Sequence, residues 1–302
     1  MVTVIIPCYN SAKFVNKAID SVIKQTYTDW KIIAVDDCST DDTFDVLQSY
    51  ANTNDRIRVI KNEVNLGVGM SRRNALKDVD TEFVTFLDSD DEFEPEYLEM
   101  LTNIQKSCDA DIVYSRVKLH FDDPKLKNYD PTNQSLLTEC MMTGSGRMQT
   151  QIDMRQMKFV TGKLYRSEIF TKFDFSDKRI GEDVISLFKA CYYSNSVRTT
   201  SYAGYIHNFR AGSLLANNLS PLKQYCYSAL LNMELVDFME EKDMDNIRQY
   251  YIKFIHVSHQ SAVNAIEKKI ITKKDYKNNL SLWNDCCKWY KNHEKEILEI
   301  IR

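Results

Sequence analysis

The apolar residues of the N-terminal third fall into two alternating patterns. Short runs rich in valine and isoleucine, at residues 2–6, 32–35, 57–60, 83–87 and 112–114, have the length and β-branched character of strands buried on both faces. Between them the spacing turns helical. Phe14, Val15, Ala18, Ile19, Val22 and Ile23 share one face over residues 12–25. Phe44, Leu47 and Ala51 share another, behind Asp41 and Asp42, either of which can cap the helix. Residues 70–77 and 96–106 read as two more helices, the second with Pro95 in its first turn. Pro7 is expected to break the first strand. This alternation predicts an α/β fold: a mostly parallel sheet, flanked by helices, with right-handed crossovers. Ligands of such sheets bind beyond the carboxyl ends of the strands.

Further along, residues 120–150 are polar, with Pro124, Pro131, Gly144 and Gly146, and read as a long loop or flap. Order resumes near 159–165, followed by a helix over 183–193 and a strand over 197–205. After Pro221 no strand pattern is present, and about three helices are expected to the end of the chain.

Composition narrows the function classes. The chain has 302 residues, 43% of them hydrophobic, enough for a sizeable core. A net charge of -4 argues against a dedicated nucleic-acid binder, which needs a basic excess to neutralise phosphates. The eight cysteines include no Cys-x-x-Cys pair, and the first ten residues lack a basic leader segment. Reduced thiols in a cytoplasmic protein are therefore expected. No apolar run approaches the ~20 residues needed to span a bilayer, so any membrane association, at the inner face of the cell membrane, would be peripheral.

Polar residues gather where the strands end. Asp88-Ser89-Asp90-Asp91 puts three carboxylates into four positions. Such a cluster repels itself unless a cation joins it, and Mg²⁺ or Mn²⁺ shared with substrate phosphates would do so. The plain alternative, a solvated turn capping the next helix, suits Asp91 best. Asp36 and Asp37 end the second strand, where a carboxylate can accept the imino hydrogen of a uracil-like base. Glu182-Asp183 opens a helix after Gly181; it is an ordinary helix start or a general base for a sugar hydroxyl. Arg72 and Arg73 follow Gly67 and Gly69, and either guanidinium can fork onto a diphosphate or sit on the surface. His207, near Arg210 and Ser213, is a metal or phosphate contact or a structural histidine.

Together these segments resemble glycosyltransferase family 2, the inverting enzymes of GT-A fold. The carriers are Val2-Thr3-Val4-Ile5-Ile6-Pro7-Cys8-Tyr9-Asn10, the stretch from Ser21 to Trp30, Val35-Asp36-Asp37-Cys38-Ser39-Thr40-Asp41, Asn65-Leu66-Gly67 through Ser71-Arg72-Arg73, and Phe86-Leu87-Asp88-Ser89-Asp90-Asp91. Weaker signatures, Lys163-Leu164-Tyr165-Arg166, Gly181-Glu182-Asp183 and Arg210-Ala211-Gly212-Ser213, resemble bacterial polysaccharide-building members. The resemblance fades after about residue 215. It implies a GT-A catalytic domain over 1–218, with a nucleotide-binding half to about 115 and an acceptor-binding half from 116, and a helical region over 219–302. It implies that Pro7, Tyr9 and Asn10 line a nucleotide pocket with Ser89 nearby, and that Asp37 contacts uracil. Asp88 and Asp90 form an Asp-x-Asp motif for Mn²⁺ or Mg²⁺, with Asp90 the more direct ligand, Asp88 more a contact to the ribose or sugar, and His207 a contact to the metal or diphosphate. Arg72 lies near the donor diphosphate or sugar, or Arg73 does if the register slips by one, and Asp183 is the base. Cys38 stands where the family has glycine. The implied partners are a UDP-sugar donor and a glycan or lipid-linked saccharide acceptor.

Two rivals are weighed against this. A haloacid-dehalogenase-type phosphatase also places Asp-x-Asp after a strand, but Asp91, Glu92 and Phe93 follow in place of the expected threonine or valine. A non-catalytic sugar-binding module would not need both Asp90 and Asp183. A nicotinamide-dependent dehydrogenase lacks its glycine fingerprint after the first strand. The aromatic stretch at Trp283, Trp289 and Tyr290, interleaved with lysines, is read first as packing onto the catalytic domain, then as a membrane or acceptor face or a homodimer contact.

Overall fold

The computed structural model describes residues 1–121, 141–143, 159–177, 181–209 and 220–301. Most of the polar 120–150 stretch, together with Arg210 and Ser213, lies outside them. The chain forms two compact units, Met1–Ser213 and Leu214–Arg302.

Among the described residues the first unit is built on one nine-stranded sheet: β1 (Val2–Cys8), β2 (Trp30–Asp36), β3 (Ile57–Lys61), β4 (Phe83–Phe86), β5 (Glu92–Phe93), β6 (Ile112–Phe121), β7 (Met141–Thr143), β8 (Lys163–Arg166) and β9 (Ser196–Phe209). The order is β3-β2-β1-β4-β8-β6-β9-β5, with β7 on β9. The helices are α1 (Val15–Ile23), α2 (Thr43–Thr53), α3 (Val68–Leu76), α4 (Tyr97–Cys108) and α5 (Glu182–Tyr193). The β3-β2-β1-β4 half is parallel, as the buried β-branched runs imply. Beyond it the sheet is mixed: β8 runs antiparallel to both β4 and β6, while β6 and β9 are parallel.

Pro7 does not break β1, which continues to Cys8. The Ile5 carbonyl accepts Leu87 N–H at 3.0 Å, so Ile5 faces β4, and Pro7, two residues on, faces the same way. The β1–β4 pairing ends at Ile5 and Phe86, so the missing N–H costs no ladder bond. Helix α1 is shorter than the apolar spacing suggests, because Gln25 has another task. Its side chain donates to the Ser21 and Glu94 carbonyls and accepts Leu98 N–H, tying α1 to the start of α4. Pro95 precedes α4, whose N-cap is Glu96.

The second unit contains α6 (Pro221–Glu241), α7 (Asp245–Glu267), α8 (Lys273–Asn278), α9 (Leu280–Asn292) and α10 (Glu294–Ile301). Among the described residues that is five helices where about three were expected. The turns after α6 and α7 are made by Asp243 and Lys269 at φ 52° and 57°, without the glycine or proline that marks a break in sequence. Trp283 and Cys286 join its core with Leu222, Val236, Ile252 and Ile297. Tyr290 stacks on His259 at 4.0 Å and Trp289 on His293 at 3.9 Å, so these aromatics pack within the second unit itself. No helix among the described residues is long and apolar enough to cross a membrane.

Candidate active site

The carboxyl ends of β1, β2 and β4 lie side by side, with Cys8 in register with Asp36 and Ile5 with Phe86. The loops that follow them deliver Tyr9 and Asn10, Asp36 and Asp37, and Asp88 to Asp91 to one edge.

At the centre is Arg72 of α3, only 2% exposed. Its Nη2 donates to Asp88 Oδ1 at 2.7 Å and its Nη1 to Asp183 Oδ1, with Glu182 Oε1 at 3.9 Å. Three carboxylates from two distant segments thus share one guanidinium. Burial raises Glu182 to about 8; Asp183 pushes the same way and Arg72 opposes. Burial also raises Asp183, against the pull of Arg72. The other Asp183 oxygen accepts Val160 N–H at 3.3 Å. Gly69 lets α3 approach this closely: a Cβ there would stand 2.6 Å from the Ser176 carbonyl and 3.0 Å from Glu182 Cγ. The expectation of Arg72 as a diphosphate clamp changes accordingly. Both terminal nitrogens already serve carboxylates, so its geometry is that of an organiser of the acidic centre. Arg73 points elsewhere, to Asp174.

A second group forms around Asp91, which is 1% exposed. It accepts Tyr205 O–H at 2.6 Å, Asn208 N–H at 2.9 Å and His207 Nδ1 at 2.9 Å, all delivered by β9. Burial raises Asp91 to about 6, while the His207 contact opposes. Burial lowers the His207 pKa, but the Asp91 bond and the surrounding carboxylates outweigh it and the net shift is upward. The Nδ1 contact fixes the ring and turns Nε2 away from Asp91, the arrangement by which a carboxylate orients a metal-binding histidine. Tyr205 also accepts Asp88 N–H at 3.3 Å, which links the two groups. Asp88 and Asp90 themselves are half-buried. Asp88 has one oxygen committed to Arg72.

At the β1–β2 edge Tyr9 is 50% exposed. Asn10 is held in place, its Oδ1 accepting Thr40 N–H at 2.8 Å and its own N–H donating to Ser39 Oγ at 3.0 Å. Ser89 Oγ meets Ser11 Oγ at 2.7 Å. Pro7 is buried within β1 and positions this loop without lining it. Asp37 is more occupied than the sequence suggests: it accepts Asn62 Nδ2 and Leu66 N–H on Oδ1 and Gly67 N–H on Oδ2, at 2.7–2.8 Å. Of the roughly four lone-pair positions on a carboxylate, three are thus taken within the protein, and Asp37 is 3% exposed. Asp36 is fully buried, and its Oδ1 has no hydrogen-bond partner. Cys38 takes φ 59°, the left-handed turn that its replacement of glycine foreshadows.

Sequence reading missed Tyr205, Asn208, Asn62 and the role of Lys163. Lys163 is buried, and its Nζ donates to the Phe159 and Thr161 carbonyls, shaping the segment whose Val160 N–H meets Asp183. A lysine next to the apolar pair Leu164 and Tyr165 was the available signal. Among the described residues, no three His, Cys, Asp or Glu side chains are grouped to enclose a metal by themselves. A cation at this edge would therefore need donors from outside the protein, such as the phosphate oxygens and waters that Mg²⁺ and Mn²⁺ commonly take.

The acidic edge thus lies where parallel strands give way to antiparallel ones, with a buried arginine behind it. Residues 3–173 match Glycosyl transferase family 2, and the chain belongs to that family. It is similar to TuaG of Bacillus subtilis, a glycosyltransferase named for teichuronic acid biosynthesis: 31% identity over 169 residues, spanning 52% of this chain and 67% of that protein. A cholesterol galactosyltransferase of Borreliella burgdorferi is 25% identical and spans nearly everything, 99% of this chain and 89% of its own. Among solved structures, TarS 1–349 of S. aureus in complex with UDP aligns with a TM-score of 0.64 and 26% identity, over 83% of this chain and 70% of that one. The fold is GT-A and the chain is a glycosyltransferase. Family membership removes the phosphatase reading.

Proposed function

We propose that this chain moves a sugar from a UDP-sugar to a hydroxyl of a glycan or lipid-linked acceptor, with inversion, in the building of a bacterial surface polysaccharide. One observation carries the reading: the buried Arg72 that joins Asp183 to Asp88, so that a candidate base and the donor-side acidic step share one rigid support. UDP in the TarS complex and the polysaccharide-building relatives support the donor and acceptor classes.

Asp183 takes the proton of the acceptor hydroxyl. The freed oxygen pair attacks the anomeric carbon from the side opposite the diphosphate, the carbon–oxygen bond to the diphosphate breaks, and UDP leaves with that electron pair. Burial makes Asp183 a stronger proton acceptor than an exposed aspartate. Tyr9 offers an exposed ring face to a base, and Asp37 meets its imino hydrogen. Asp90, Asp88 and His207 would hold Mn²⁺ or Mg²⁺, which supplies positive charge against the departing diphosphate.

The test is UDP release from a panel of UDP-sugars with Mn²⁺, alone and with saccharide acceptors. Acceptor-stimulated release from one donor supports the reading. No release and no calorimetric binding for any UDP-sugar would overturn it.

A further inference from the structure

The turn between α7 and α8 is built against its local preferences. Helix α7 ends in two bonds, Lys269 N–H to the Ile266 carbonyl at 3.0 Å and Ile270 N–H to the Ala265 carbonyl at 2.9 Å. This is a Schellman turn, in which the left-handed position favours glycine and the next residue usually packs back on the helix. Here the left-handed residue is Lys269, at φ 57°. The next, Ile270, is 67% exposed, more than any other large apolar side chain among the described residues. Ile271 fills the core in its place, at 7%.

Around this tip stand Lys268, Lys269, Lys273, Lys274 and Lys277, all exposed and none in an ion pair among the described residues. The acids of the stretch do little to offset them. Asp275 is turned inward, accepting Leu222 N–H at 3.1 Å and Asn279 Nδ2 at 2.7 Å, which leaves Glu267. Five lysines thus crowd one turn of a chain whose net charge is -4. Breaking local rules without a packing gain points to function.

We propose that this turn docks the protein on an anionic lipid surface, with Ile270 entering the headgroup boundary and the lysines meeting lipid phosphates. The exposed isoleucine selects a bilayer over a soluble polyanion, which would have no use for an apolar tip. Lysines near an anionic bilayer each strengthen binding several-fold, and that attraction is lost with salt.

Co-sedimentation of the full chain with phosphatidylcholine vesicles, with and without phosphatidylglycerol, tests it. Binding is expected only to the anionic vesicles and to weaken with added salt. The double variant Lys268→Glu/Lys273→Glu lowers partitioning by about tenfold or more, and Ile270→Ser by about fivefold, with UDP binding and thermal melting unchanged. Equal binding to both vesicles, or none, overturns the proposal. So does unchanged binding of Ile270→Ser with full displacement by polyphosphate, which reassigns the lysines to a soluble polyanion. UDP binding by the same samples is read separately, so failure here leaves the transferase reading standing.

Discussion

Arg72 and Asp183, 111 positions apart in the chain, form a buried ion pair, and the same guanidinium holds Asp88 from its other terminal nitrogen. The candidate base and the acidic step are therefore parts of one electrostatic unit, and perturbing any member is felt by the others.

Removing the shared cation strands the carboxylates. Arg72→Met should cost about 3–5 kcal/mol of stability, the usual result of breaking a buried ion pair from one side. Urea unfolding measures it. A loss below about 1 kcal/mol would mean that the carboxylates find water or other partners.

Glu182 gives stability a pH signature. Its pKa in the folded protein is raised to about 8 from 4.5. Between those values the folded state keeps a proton that the unfolded chain releases, so stability falls as pH rises through that window and levels off above it. Glu182→Gln mimics the protonated form and removes this dependence. The gap between the variant and the wild type should widen with pH by at least about 1 kcal/mol, and parallel melting curves would contradict it.

Cys38 sits at φ 59°, where a side chain is strained. Cys38→Gly should stabilise by about 1 kcal/mol, and Cys38→Val should destabilise. Differential scanning calorimetry of the pair decides, and a glycine variant that melts lower would rule out strain at this turn.

Asp90 is the donor-side carboxylate proposed to hold the cation. Asp90→Asn should abolish the strengthening of UDP binding by Mn²⁺ while leaving thermal stability within about 0.5 kcal/mol, as expected for a residue outside the packed core. Titration calorimetry with and without metal reads this, and undiminished metal dependence would transfer the role to other residues.

The parallel half of the sheet was legible because strands buried on both faces leave an unmistakable β-branched run, and their acidic ends stand out against it. The antiparallel β8 was harder: four residues carrying a buried lysine and ending in arginine do not read as a central strand. The two-residue β5 leaves no periodicity at all. Helix breaks at Asp243 and Lys269 carry no glycine or proline, which hid two turns of the second unit. In the site, Asp88, Asp90 and Asp183 were readable as chemistry, but their joint clamp was not, because nothing local links Arg72 to a residue 111 positions away. Asp91 was expected in a solvated turn capping the next helix, but it is buried and holds Tyr205, His207 and Asn208, partners that emerge only when β5 and β9 pair.

The most direct measurement is sugar transfer and UDP binding by Asp183→Asn, side by side. Transfer to acceptor should fall by at least about a hundredfold, the scale of a lost general base, while the calorimetric affinity for UDP with Mn²⁺ stays within about threefold of the wild type. Transfer at the wild-type rate, or equal loss of transfer and UDP binding, would contradict the assignment of Asp183 as the base.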